Sequence, residues 1–130
     1  MFALNQLPAI TLGVPDVCIT MVMMVPVPIP YPNISFEFMG FPAAYNILVG
    51  GAPVHNMATV LAPSVGDLPG MMGVASGMVM GPNFSFVNSF TCLMGALPTK
   101  RLTSFGISNL TNAPAIAITP NQFKVLVLAP

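Results

Sequence analysis

One phrase recurs along this chain, as Pro32-Asn33-Ile34-Ser35-Phe36, Pro82-Asn83-Phe84-Ser85-Phe86 and Pro120-Asn121-Gln122-Phe123. Each copy follows a run of period two: Val25-Pro-Val-Pro-Ile-Pro-Tyr31, Ser76-Gly-Met-Val-Met-Gly81 and Pro114-Ala-Ile-Ala-Ile-Thr119. Such alternation puts successive side chains on opposite faces, and Pro-Asn stops it, so each copy reads as a strand entering a turn. Two further registers repeat behind the phrase. Leu48-Val-Gly50-x-x-Pro53 is echoed by Leu93-Met-Gly95-x-x-Pro98, and the chain closes on the similar run Val125 to Pro130. Gly13-Val-Pro-Asp16 matches Val65-Gly-Asp67 and Ile107-Ser-Asn109. The simplest reading is one domain, 1–130, made of three degenerate β units at roughly 1–45, 46–90 and 91–130.

The fold class expected is all-β. Three small sheets related by pseudo-threefold symmetry would form a cone or prism, with their apolar faces meeting on the axis because none is large enough to stand alone. With 15 Pro and 11 Gly, helix is limited to a turn or two. The ladder Pro26, Pro28, Pro30, Pro32 sharpens the picture. Prolines at every second position strip the N–H donors from one edge of a strand only, leaving the other edge able to pair. A polyproline linker is the alternative, but linkers do not alternate Pro with Val, Ile and Tyr. Ser35-Phe36-Glu37-Phe38 is expected to continue as strand with Glu37 solvated, and Val54 to Leu61 to form another strand.

The chain is 55% hydrophobic and 5% charged, with a formal net charge of zero. An ordinary globular chain is roughly a quarter charged, so this one is expected to cover its apolar surface in an assembly. Zero net charge argues against nucleic acid as a partner, and Lys100-Arg101 alone reads as a solvated turn. A small membrane-inserted subunit is a lesser alternative. The segment between Asp67 and Lys100 has no charge, but Pro82, Asn83, Asn88 and Pro98 break it below the ~20 apolar residues of a span. The N-terminus shows no secretory signal, so synthesis in the cytoplasm is expected.

Residues for catalysis are few. Asp16, Glu37 and Asp67 are the only acidic side chains. Asp16 and Asp67 sit at matching turn positions, where Asp commonly bonds its own backbone. No enzyme is expected. His55, Cys18 and Cys92 are the weak metal candidates; their spacing matches no zinc motif and three ligands fall short of a structural site. No cofactor is therefore expected, with a zinc-binding module as the alternative. His55 aligns with Lys100 in the repeat, which suggests exposure, and the cysteines read as small hydrophobes. Met21, Met23, Met24, Val25, Val27 and Ile29 are candidates for a partner face.

Val17-Cys18, Pro26-Val-Pro-Ile-Pro-Tyr-Pro-Asn33, Ser64-x-Gly-Asp67-x-Pro-Gly70, Ser76-Gly77, Gly95-x-x-Pro98-x-x-Arg101 and Asn112-Ala113 together resemble the PAAR-like domain at the tip of contractile injection systems. The resemblance runs from about Val17 to Ala113. It implies a β cone on a trimeric VgrG-type spike, one copy per trimer, driven through a target membrane by sheath contraction and delivered outside the cell or into a target cell. It also implies transient contact with that membrane and a secreted effector as a further partner. Better-known PAAR proteins hold zinc through several histidines and a cysteine, whereas this chain has a single His. Relatives often continue into toxin domains, and ending at Pro130 suggests cargo held non-covalently.

Overall fold

A computed structural model describes residues 1–128; Ala129 and Pro130, the end of the Val125–Pro130 run, lie outside the described residues. It is all-β, with one 3-10 turn at Glu37–Met39 and no α-helix among the described residues. The strands are β1 (Ile10–Val22), β2 (Val25–Phe36), β3 (Gly40–Phe41), β4 (Ala44–Val49), β5 (Ala52–Val54), β6 (Val60–Leu61), β7 (Ser64–Val65), β8 (Met72–Gly73), β9 (Asn83–Val87), β10 (Ser89–Met94), β11 (Leu97–Thr99), β12 (Phe105–Ser108) and β13 (Ala113–Ala117).

The main sheet runs β3-β6-β9-β12-β13-β1-β2-β7, every pairing antiparallel. Its two ends are joined by the chain itself. β2 passes through the 3-10 turn into β3, and β6 runs through Ala62-Pro63 into β7. The pairings Ile34↔Val65, Ser35↔Ser64, Gly40↔Leu61 and Phe41↔Val60 then form one interrupted ladder that closes the sheet on itself. Closure leaves few free edges, the feature that usually lets sheets aggregate. β1 and β2 run on past the closed part as a long hairpin, Asp16–Val22 against Val25–Tyr31, joined by the turn Met23-Met24. An antiparallel ladder needs an N–H at alternate residues, and Pro26, Pro28 and Pro30 have none. The bonds to β1 therefore come from Val25, Val27, Ile29 and Tyr31, and the prolines present the blocked edge.

The interior is narrow, and it is not apolar. Thr11, Gly13, Asn33, Ser35, Ser64, Asn83, Ser85, Gly106, Ser108, Ala113, Ala115 and Ala117 are all buried, with Leu61 the one large aliphatic side chain among these strand residues. A Cβ on Gly13 would lie 2.7 Å from Ser108 Cβ, and one on Gly106 would lie 1.8 Å from the Phe84 carbonyl oxygen. Only small side chains fit, so the bulky ones on the same strands turn outward, as with Phe86 and Phe105, whose rings meet edge-on at 6.1 Å. The expectation that apolar faces meet on the axis is thus corrected for the closed sheet, where there is no room for them. The third Pro-Asn phrase is also reassigned. Asn33 lies inside β2 and Asn83 opens β9, whereas Asn121 lies beyond β13 and its side-chain amide donates to the Asn5 and Leu7 carbonyls. Across the closed sheet Ser35 faces Ser64, Ser85 faces Gly106 and Ala115 faces Gly13, so Asn33 and Asn83 correspond to Ala113. Small residues at every second position, not the Pro-Asn pair, carry the repeat.

At one end of the closed sheet three segments bond head to tail. The Leu4 N–H donates to the Lys100 carbonyl (3.0 Å), the Lys100 N–H to the His55 carbonyl (3.1 Å) and the His55 N–H to the Leu4 carbonyl (2.9 Å). A second cycle runs from Gln6 to Pro53 (3.0 Å), Met57 to Pro98 (2.9 Å) and Leu102 to Phe2 (2.8 Å). Val54 to Leu61 is therefore not one strand; it is a bridged segment, a turn and the short β6. Each segment leaves the cycle as one side of a two-stranded arm. Two arms are the hairpins β4–β5 and β10–β11, with Leu48↔Pro53 and Leu93↔Pro98 in matching register. The third joins the two ends of the chain, Phe2↔Leu126, with the Val127 N–H donating to the Met1 carbonyl. Between the arms Ala3, Ala44, Val49, Val54 and Val127 form the apolar core, flanked by Ile47, Cys92, Met94 and Val125.

Candidate functional site

Glu37, placed at the surface by the alternation of its neighbours, is wholly buried. The strand breaks into a 3-10 turn at this residue, which leaves Phe36 and Phe38 packed on one another at 5.5 Å and swings Glu37 inward. There its Oε1 accepts from Thr11 Oγ1 (2.5 Å) and Lys100 Nζ (2.8 Å), and its Oε2 meets His55 Nδ1 at 2.9 Å and Lys100 Nζ at 3.1 Å. Burial pushes the carboxyl up, but the Lys100 charge and the His55 hydrogen bond outweigh it and hold the group at about 2. His55 and Lys100 do occupy matching positions in two of the three cycle segments, with Leu4 in the third. The correction is that both point inward, because the cycle turns their side chains onto the shared carboxylate; neither is exposed, and Lys100 is no solvated turn. His55 Nε2 has no partner and lies against Gly40, where a Cβ would come within 2.7 Å.

A second buried cluster lies at the other end of the closed sheet, below the long hairpin. Asp16, Asp67 and Asn109, the three matched positions of the third sequence register, meet there. Asn109 Nδ2 donates to Asp16 Oδ1 (3.3 Å) and Asp67 Oδ2 (2.8 Å). Asp16 also accepts from the amides of Asn33 and Asn112, and Asp67 from the Met80 N–H. These acids bond across the molecule, so the local-turn expectation is corrected for Asp16. Cys18 Sγ lies 3.5 Å from Asp16 Oδ1 and 3.9 Å from Asp67 Oδ2. Burial and then the Asp16 charge push its thiol up to about 12, and burial raises Asp67 as well.

Asp16, Cys18 and Asp67 bring their donor atoms within 4.8 Å of one another, the one such grouping among the described residues. The arrangement does not fit a metal as it stands. Asn109 Nδ2 already bridges the two carboxylates and Asn112 Nδ2 donates to Asp16, so amide donors, and not a cation, satisfy these oxygens in this arrangement. The sequence candidates His55, Cys18 and Cys92 are not brought together. His55 serves Glu37, Cys18 lies in the second cluster, and Cys92 packs as a half-buried hydrophobe beside the arm core.

Met21, Met23, Met24, Val25 and Val27 are all exposed along the long hairpin, and Ile29 is half-buried lower down. Met23 and Met24 both have positive φ, 49° and 66°, as a two-residue hairpin turn requires. Among the described residues no helix is long and apolar enough to cross a membrane.

Residues 9–115 match a family model described as the toxin PAAR-like domain. No curated protein and no solved structure matches the chain. The matched family goes with a toxin- or spike-associated role in secretion systems, and its domains generally associate with spike proteins.

Proposed function

We propose, because this chain belongs to the toxin PAAR-like domain family, that it is the tip of the central spike of a contractile injection system. In this reading it caps a trimeric VgrG-type protein, one copy per trimer, with an axis of pseudo-threefold symmetry shared between them. The observation that carries the reading is the pair of hydrogen-bond cycles through Leu4, His55 and Lys100 and through the segments beside them. A single chain with three segments bonded head to tail can offer three similar faces at once, which is what a closed trimer demands of a solitary cap.

The mechanism is mechanical. The closed sheet, with Asn83 Nδ2 donating to Ser35 Oγ across its interior, resists bending because within it each strand is bonded to a neighbour on either side. The tip turns over no substrate and needs no cofactor; it is made in the cytoplasm, travels with the particle, touches the target membrane briefly and carries any effector by non-covalent contact. The exposed apolar surface supports an assembled state, since free monomers rarely leave so much uncovered. Native mass spectrometry of the chain mixed with a purified VgrG-type trimer from the same organism tests this. One copy per trimer is expected; no complex, or three copies per trimer, overturns the reading.

A further inference from the structure

The three arms repeat their exposed side chains. Leu48, Leu93 and Leu126 stand opposite Pro53, Pro98 and Phe2 in their respective arms. They are 63%, 58% and 54% exposed. Three residues earlier in each arm stand Tyr45, Phe90 and Phe123, exposed by 54%, 55% and 73%. All six side chains are more than half exposed, although Phe123 also meets the Phe2 ring edge-on at 5.3 Å. The same geometry repeated at three places is what one surface presented three times by a homotrimer would meet.

We infer that this ring of Tyr45, Phe90, Phe123, Leu48, Leu93 and Leu126 is the face that seats on the trimer, and that the long hairpin points away from it. The inference rests on the spike-tip reading and adds which end of the molecule docks. It displaces the methionine-rich hairpin, Met21 to Ile29, as the docking face. That hairpin exists once, so it cannot meet three identical subunits alike. The two ends are fixed by topology: β1 leaves the Glu37 end at Ile10, passes the Asp16 cluster and reaches the Met23-Met24 turn last. β4–β5 and β10–β11 carry no charged residue and Lys124 is the one charged side chain between Phe123 and Leu126 in the third arm, so the partner surface is largely apolar too. Half-exposed aromatic and leucine side chains offer roughly 100 Å² each, so the six supply about 600 Å² of the ~800 Å² per partner of a specific interface.

The test compares three proteins against the same VgrG-type trimer: the native chain, Leu48→Glu/Leu93→Glu/Leu126→Glu, and Met23→Ser/Met24→Ser. The leucine variant is expected to bind about 100-fold or more weakly, and the hairpin variant within about twofold of the native chain. A leucine variant that binds normally, or a hairpin variant that does not bind, overturns the docking face while leaving the spike-tip reading intact. A native chain that binds no trimer, or that instead pairs with itself through this ring, overturns both. Should the triple variant fail to fold, hydrogen exchange of the native complex decides: protection is expected over 44–54 and 89–99, and protection confined to 20–28 overturns the inference.

Discussion

Glu37 sits with Lys100 and His55 in a space closed to water, and a single-atom change exposes what each contributes. Glu37→Gln keeps the shape but leaves the Lys100 ammonium buried without its counter-charge, so we expect a loss of about 3–5 kcal/mol in urea unfolding at neutral pH. The same carboxyl sets an acid limit. Its folded value of about 2 lies below the ~4.3 of an unfolded glutamate, so its contribution is complete above that unfolded value and drains away as pH falls from about 4 to about 2. About 3 kcal/mol is at stake over that window. Asp67, raised by burial, acts in the opposite sense, taking up its proton more readily when folded. The measurement is therefore the difference between native and Glu37→Gln unfolding curves, which should shrink from about pH 4 and close as pH nears about 2; curves that stay parallel would contradict it. Cys18, buried with its thiol pushed up to about 12, should resist iodoacetamide at pH 8 until the protein is denatured. Rapid labelling of Cys18 in the folded chain would show the cluster is open. Residue identities were only half legible in sequence. The matching of His55 with Lys100, and of Asp16 with Asp67 and Asn109, could be read directly. That they point inward could not, because burial of a charge depends on a partner far along the chain, here Glu37 for Lys100.

At the scale of elements, the strands were legible where alternation was strong, as in β2 with its prolines, and illegible where spacing by two hid a break. Phe36-Glu37-Phe38 has strand periodicity, yet the chain forms a 3-10 turn there and Glu37 is buried. The inward face was misassigned for a related reason: a closed sheet this narrow selects by size, so Ala113, Ala115 and Ala117 mark the interior and the neighbouring Ile116 does not. Gly106→Ala tests that narrowness. Its Cβ would collide with the Phe84 carbonyl at 1.8 Å, and because the clash is with backbone, β9 and β12 must part. Destabilisation beyond about 3 kcal/mol is expected by thermal or urea unfolding. A near-native midpoint would mean the strands can spread without cost. The hairpin turn works in the other direction. Met23 and Met24 hold positive φ, which Asn-Gly adopts far more easily, so Met23→Asn/Met24→Gly should stabilise the protein by about 0.5–1 kcal/mol. An unchanged or lowered midpoint would show the methionines make contacts worth more than the backbone strain.

For the whole molecule, the two ends of the chain act as one element. Residues 1–6 give the cycles Leu4, Gln6 and Phe2, pair with Leu126 in the third arm, and hold Asn5 against the Asn121 side chain and the Val49 carbonyl. Sequence repeats counted from Met1 cannot show this, because the third unit begins near the C-terminus and is finished by the N-terminus. A chain closed this way behaves as a ring with one seam, and opening the seam removes bonds from both neighbouring arms at once. Deleting residues 1–6 should therefore cost far more than trimming a free end, which is normally tolerated. We expect the truncated protein to lose its cooperative thermal transition and to bind dyes that report exposed apolar surface. Adding a synthetic peptide of residues 1–6, or rejoining them through a flexible linker after residue 128, should restore the transition, since the bonds need the segment and not its covalent position. A truncated chain that melts like the native one would mean the cycles are ornament, and the rigidity that the proposed tip role asks for would have to come from the closed sheet alone.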